Sequence, residues 1–367
     1  MYEFSLLDLM PYIIMTVLLT VIMRSEGAPK KKASACFMLM FVFSAIRYGI
    51  GYDYYGYVQT VLHQVEDYKL ARHEPFSRVL VEIGYQTHYQ IYFVLCAFLT
   101  LFPLYKACVK LSINPAFSLL IYFLFPRYYL ESFSIVRNAM SYSFVLYAFV
   151  FLYHKKMLWS VIMMVSAAMF HKSAIIGVLI YPLYYLRADL KLNVIIYIAS
   201  FVASNLMMGF IGDLTSLLPF LDVVEHYAEF ARDEGGTMTY IINCLCVFHF
   251  FVWKKLSRLN PANEKYLVFF SIGGCIWNIF LPIDSTLALR LSSFFQIFII
   301  FLVPQYKYTV SLAYKRTVAL CSYGFFVLLF ASYFYINVSS YLKKPDRMSN
   351  LPYQTIFYHK DYSNYIY

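Results

Sequence analysis

Long apolar runs alternate with short polar breaks along the whole chain, and these runs, rather than a soluble-type alternation, set the architecture. They predict about twelve membrane spans, with a range of about 10–13. The spans fall near residues 6–23, 33–50, 89–108, 113–126, 133–153, 157–170, 174–186, 191–210, 238–253, 266–282, 286–303 and 317–337. Several are shorter than the roughly 20 residues that a helix needs to cross a bilayer. The spans must be helical, because an open sheet in lipid leaves backbone groups unpaired. The predicted fold class is therefore an all-α polytopic membrane protein, with residues 1–367 forming one membrane domain without internal repeats.

Two connections between spans are long, 53–88 and 211–237, and the tail 338–367 is rich in tyrosine. In the first of them Phe76, Val79, Leu80 and Ile83 share one helical face. That spacing predicts an amphipathic helix lying on the membrane or re-entering it. The second is acidic and ends in Gly235-Gly236, a candidate mobile flap.

Composition agrees with the pattern. Of 367 residues 61% are hydrophobic and only 14% charged, where a soluble domain carries about 25% charged residues. The mean hydropathy is +0.60. The first ten residues hold Glu3 and Asp8 but no Lys or Arg, which argues against a cleaved signal peptide. All seven cysteines lie in apolar runs without a CxxC pair, which indicates neither a zinc site nor a disulfide framework.

The net charge of +10 reads as a topology signal rather than as nucleic-acid binding, because the basic residues cluster in alternate loops. Placing Arg24 and Lys30–Lys32 on the cytoplasmic side puts Lys106, Lys110, Lys155, Lys156, Arg187, Lys191, Lys254, Lys255, Arg258, Lys265, Lys307, Lys315 and Arg316 there too. Only Glu26, Asp189 and Glu264 accompany them as acids. Both termini, the two long connections and the tail then fall outside, with Lys343, Lys344 and Arg347 as the one dissent.

Ionisable groups at or inside spans are costly, and each needs a reason. Arg47 closes the second span, followed by Gly49, Gly51 and Asp53 among five tyrosines that include Tyr54. Asp53 is close enough in sequence to pair with Arg47; an arginine snorkelling to headgroups is the alternative. Arg137 lies in SIVRNAM beside Asn138, with Ser134 and Ser141 on the same face. An arginine at this depth needs an anion, either a structural carboxylate or a substrate group. His171 in FHKSA titrates near neutral pH and is the general-base candidate, against the alternative of an interfacial side chain. Arg290 follows the turn at Asp284, which is its structural candidate partner; Glu74 and Arg127 complete the set. All of these map to the external half. Several guanidinium groups and a histidine suit a pyrophosphate, because guanidinium binds phosphate oxygens bidentately at any pH. Tyrosine faces suit sugar rings.

At these residues the chain resembles a known family. RYGIGYDYYGY resembles the R-x-x-x-G-x-D-Y-x-x-Y signature of EpsG/Wzy-type polysaccharide polymerases. The Glu74 helix, SIVRNAM, FHKSA, the Arg of ALRLSSFF and the C-terminal LPYQTIFY follow in the family's order. Asn138 stands where the family more often has glutamine. The resemblance implies a multi-pass protein of the bacterial cytoplasmic membrane that builds O-antigen, capsule or exopolysaccharide. Its donor and acceptor would be undecaprenyl-pyrophosphate-linked oligosaccharides at the external face, in contact with membrane lipid. A chain-length regulator and a flippase are candidate partners, and nucleic acid is not.

Combined with the residue chemistry, this assigns catalytic roles to His171, Arg137, Arg290 and Asp53, and substrate binding to Arg47, Glu74, Arg127, Asn138, Tyr54 and Asp284. Without an external DxD motif the arginines replace a divalent ion, so the expectation is a metal-independent enzyme without cofactor. A flippase for lipid-linked sugars, a glycan ligase and an O-acyltransferase are the alternatives.

Overall fold

Fourteen α-helices and four 3-10 segments make up the ordered elements among the described residues, where strand pairing is limited to two isolated bridges. The computed structural model describes residues 6–63, 73–125, 127–186, 189–217, 236–256, 261–305 and 350–359, with shorter pieces between 317 and 331. The greater part of the predicted span 317–337, of the 211–237 connection and of the tail lies outside them. Two units divide the chain, residues 1–175 with 327–367 and residues 176–326.

The first unit contains α1 (Met10–Arg24), α2 (Pro29–Ala45), α3 (Tyr54–His63), α4 (Pro75–Gln86), α5 (Tyr89–Leu111), α6 (Pro115–Leu124), α7 (Val136–Tyr153) and α8 (Met157–Phe170). Proline opens α2, α4 and α6, where its missing N–H costs nothing and its fixed φ suits the first turn. Asn114 caps α6 by accepting from Phe117 N at 3.2 Å. Helix α7 packs on α5 and α8, α2 on α5 and α6, and α4 on α3, α5 and α8.

Large apolar side chains face outward in stripes. On α1 they are Ile13, Val17 and Val21, and on α8 Leu158, Ile162 and Val165. Spaced by a helical turn and exposed, such stripes fit lipid rather than water. Two segments, Tyr89–Leu111 and Ser285–Gln305, are long and apolar enough to cross a membrane, and α1, α6 and α8 are shorter apolar helices.

Three details differ from the sequence reading. On α4 three residues of the expected apolar face, Phe76, Val79 and Ile83, are exposed together as an amphipathic helix requires, but Leu80 turns inward with Ser77, Val81 and Gly84. Small side chains let α4 approach its neighbours, and the bulkier ones remain for lipid. Helix α7 starts at Val136, so Arg137 sits in its first turn instead of a turn inside it. The run at 174–186 is a 3-10 segment, Lys172–Leu179, followed by one short α-helix. A 3-10 stretch of eight residues is unusual, since its hydrogen bonds are poorer than those of an α-helix.

The connection between α2 and α3 depends on two glycines with left-handed backbone, Gly49 at φ 65° and Gly51 at φ 104°. A Cβ on Gly51 would lie 2.4 Å from the Phe133 carbonyl oxygen, so the turn lies directly against the segment before α7. The C-terminal segment lies across it. Tyr48 N donates to Gln354 O at 3.0 Å and Ile356 N to Ile46 O at 2.9 Å. The Tyr353 ring stacks on Phe43 at 3.9 Å and its hydroxyl donates to Phe43 O. Burial raises the pKa of that hydroxyl, which keeps it a neutral donor.

The second unit holds α9 (Ile180–Tyr185), α10 (Leu190–Leu217), α11 (Gly236–Leu256), α12 (Pro261–Phe280), α13 (Ser285–Gln296) and α14 (Ile299–Leu302). Helix α12 is central and touches all the others. A buried chain of polar side chains joins four helices: Gln296 donates to Asn243, Asn243 to Asn278 at 3.4 Å, and Asn278 to Ser200 at 2.9 Å. Gly273 on α12 has no room for a side chain, because a Cβ there would lie 2.6 Å from Gln296.

Replacing Gly51 with alanine combines strained backbone with a clash against main chain. It is expected to destabilise the protein by at least about 2 kcal/mol. Gly56→Ala, in open space on α3, is the control and should be neutral or stabilising by up to about 1 kcal/mol. Thermal unfolding in detergent micelles measures both.

Candidate functional site

Glu74 holds the centre of the first unit's polar cluster. It occupies the N-cap position of α4 with extended backbone, yet its side chain does not cap its own helix. Instead one carboxylate oxygen lies 2.8 Å from Arg137 Nη1 and the other accepts from Lys172 N at 2.9 Å. The pair is largely shielded, with 22% of the Arg137 side chain and 12% of the Glu74 side chain exposed. Arg137 needs this anion for two reasons. It is removed from water, and as a cation in the first turn of α7 it faces the positive end of the helix dipole. Tyr57 of α3 reaches the same guanidinium.

His171 ends α8 with extended backbone, one residue before the amide that Glu74 binds. Its Nδ1 lies 2.7 Å from Ser173 Oγ, and Ser173 Oγ donates to Asn138 Oδ1 at 2.7 Å. Ser141, one turn along α7 from Arg137, donates to Ala167 O at 2.9 Å and locks α7 to the end of α8. Arg137, Asn138 and His171 are thus gathered by one hydrogen-bonded network that Glu74 completes. Sequence reasoning placed Ser134 on this stripe, but it lies before the helix and accepts from Tyr52 N at 3.1 Å.

The structure adds His73, which precedes Glu74 and was not singled out among the candidates. Its Nδ1 is buried without a hydrogen-bond partner among the described residues. Burial, and then the charges of Arg137 and Arg78, push its pKa down to about 4, so it stays neutral beside Arg137. Gln90 is a second addition: its amide donates to Ala45 O at 2.6 Å and Arg47 O at 3.2 Å, fixing the end of α2. Ser173 was visible only as part of FHKSA, and Gln90 had no sequence signal.

Arg47 and Tyr54 are placed differently from the expectation that they bind substrate. Arg47 is 2% exposed; its guanidinium lies 5.0 Å from the Phe93 ring centre and 4.6 Å from that of Phe133, and it donates to Ser44 O at 2.9 Å. These groups are its contacts rather than Asp53, which is exposed at the start of α3. The cavity that Arg47 lines with Ser44, Cys96, Thr100 and Ser132 has only about 10 Å³ of room, enough for one water. Tyr54 is fully buried and stacked on Phe93 at 4.4 Å, leaving no face for a sugar. Both residues are thus packed in the interior of the first unit. Arg127 is also buried, 4% exposed.

In the second unit Asp284 caps α13, accepting from Leu287 N at 2.7 Å, and Arg290 is half-buried on the same helix. The predicted carboxylate is thus used on the backbone. Among the described residues no three His, Cys, Asp or Glu side chains are placed to hold a metal ion.

Outward apolar stripes, and a shielded cluster of arginine, carboxylate and histidine within the first unit, define a helical membrane protein with a buried polar centre. The chain belongs to the EpsG family, whose model matches residues 33–355. That membership points to a polysaccharide polymerase of the glycosyltransferase kind. No curated protein and no solved structure matches the chain significantly.

Glu74→Gln and Arg137→Gln should each destabilise the protein, and the double variant should be less unstable than the sum. A coupling of at least about 1 kcal/mol is expected for a pair this shielded. A double-mutant cycle by chemical or thermal unfolding measures it, and additive effects would show that the ion pair carries no net energy.

Proposed function

We propose that this protein joins undecaprenyl-pyrophosphate-linked oligosaccharide repeat units into a surface polysaccharide at the external face of the bacterial cytoplasmic membrane. The observation that carries the reading is Arg137 at the start of α7, tied through Glu74 to the backbone beside His171, within a chain of the EpsG family. The chain would cross the membrane about twelve times; the loop-charge bias supports this count and the external site.

In the reaction, an acceptor sugar hydroxyl attacks the anomeric carbon of the donor chain. The carbon–oxygen bond to pyrophosphate breaks, a glycosidic bond forms, and undecaprenyl pyrophosphate leaves with the bonding electron pair. His171 takes the hydroxyl proton, a contribution of about a hundred- to ten-thousandfold. Arg137 and the amide ends of α7 stabilise the charge growing on the leaving group, usually the largest single contribution. Glu74 orients Arg137 and so acts as a positioning residue. Asp53, exposed at the start of α3, is the candidate for binding sugar hydroxyls, and Arg290 is the phosphate-binding candidate of the second unit.

Arg137→Ala should collapse the long-chain polysaccharide ladder on a gel to single repeat units that still reach the outside. Units retained inside would favour a flippase, and an unchanged ladder would remove Arg137 from the site. With arginines in place of a divalent ion, polymerisation by the purified protein should survive excess chelator. Loss of activity restored by Mg²⁺ would sink that part of the mechanism.

A further inference from the structure

Arg47 carries a positive charge into the interior of the first unit, and among the described residues no anion meets it there. A guanidinium keeps its proton inside a protein, so the charge cannot be shed. Among the described residues its side chain makes one hydrogen bond, from Nη1 to Ser44 O at 2.9 Å, and its Nε is buried with no partner. The two ion pairs among those residues lie elsewhere, Arg137 with Glu74 and Lys254 with Glu264. The ionisable groups that reach Arg47 are Tyr54, Cys96, Tyr129 and Tyr353, all neutral near pH 7 in their ordinary state.

Two features offset part of the cost. Ser44 O belongs to the last turn of α2, the negative end of that helix. The Phe93 and Phe133 rings add cation–π contact at 5.0 and 4.6 Å. Dipoles and ring faces lower the energy of the cation, but neither brings a negative charge.

The same side chain lines the small cavity, and the other polar residues of its lining are Ser44, Thr100 and Ser132. With about 10 Å³ of room, it is too small for a phosphate, a sulfate or a carboxylate. A monatomic anion is only slightly larger than a water molecule, and it fits. The hydroxyls can serve as its donors. Ser44 Oγ donates to Tyr129 OH at 3.0 Å and Ser132 Oγ to Tyr129 O at 2.6 Å. Either can turn its hydrogen into the cavity, because a hydroxyl rotates to suit its surroundings, while Tyr129 OH keeps its own bond to Met40 O at 2.7 Å. A water in the same space would leave the charge unmatched, which is costly wherever bulk solvent is excluded.

We propose that this cavity is a halide site, in which a chloride ion held by Arg47 and the hydroxyls of Ser44, Thr100 and Ser132 balances the charge at the end of α2. The role is structural and independent of the polymerase reading. It steadies the turn between α2 and α3, where the C-terminal segment pairs with the backbone on both sides of Arg47.

Thermal unfolding of the full-length protein in detergent micelles tests the site, with chloride exchanged for gluconate at constant ionic strength. Chloride should raise the midpoint by about 3 °C or more along a saturating curve. Bromide should replace it, and sulfate, too large for the cavity, should not. Thr100→Val keeps the shape of the side chain and removes one hydroxyl. It should fold and need at least about tenfold more chloride for half of the effect. Arg47→Met should abolish the chloride dependence; if that variant fails to fold, the wild-type titration and Thr100→Val still decide. A midpoint indifferent to chloride overturns the proposal and leaves a water in the cavity. An equal response to sulfate, which is a general salt effect, overturns it too. So does a chloride response that Thr100→Val or Arg47→Met leaves unchanged, since the ion then binds elsewhere.

Discussion

A charge taken out of water has to be matched where it lies, and one carboxylate does this for the polar cluster of the first unit. Glu74 leaves its own helix uncapped and uses both oxygens elsewhere, on Arg137 and on the amide after His171. Three elements are joined by this side chain: the start of α4, the start of α7 and the end of α8. Removing the carboxylate would leave a shielded guanidinium against the positive end of a helix, an arrangement without internal compensation. The position of His171 follows, because its neighbouring backbone is pinned by the same group.

A second guanidinium is handled differently. Arg47 has aromatic faces, a backbone carbonyl and a one-water cavity in place of a carboxylate. Cation–π contact is stronger when the ion is desolvated, which suits this site. The C-terminal segment adds its own layer, pairing with the backbone on both sides of Arg47. The tyrosine-rich stretch that begins at Arg47 is therefore a scaffold: Tyr54 is packed inside, while Tyr57 reaches Arg137. Asp53, by contrast, lies at the surface just before α3.

The second unit shows the same rule with uncharged groups. Amide and hydroxyl side chains from four helices bond to one another in its interior, and glycines on α12 let those helices approach. Polar side chains inside an apolar protein are stable only when they find each other.

How much of this was readable beforehand differs by residue. Apolar runs and loop charge follow from local composition, and the helices fall close to the predicted runs because lipid allows little else. Arg137, Asn138, Glu74 and His171 could be singled out because charge and polarity at a membrane face are costly wherever they fall. Their partners could not. Nothing local says that Glu74, 63 residues from Arg137, turns away from its own helix, or that Gln90 ties down the end of α2. Arg47 and Asp53 illustrate the converse: sequence proximity suggested a pair, and packing buried one and exposed the other. The amino-acid sequence by itself thus determined that the chain is a helical membrane protein and which side chains are costly. Tertiary structure alone decided which of them meet, because partner choice for a buried charge is made by helix packing over long separations and not by neighbours along the chain.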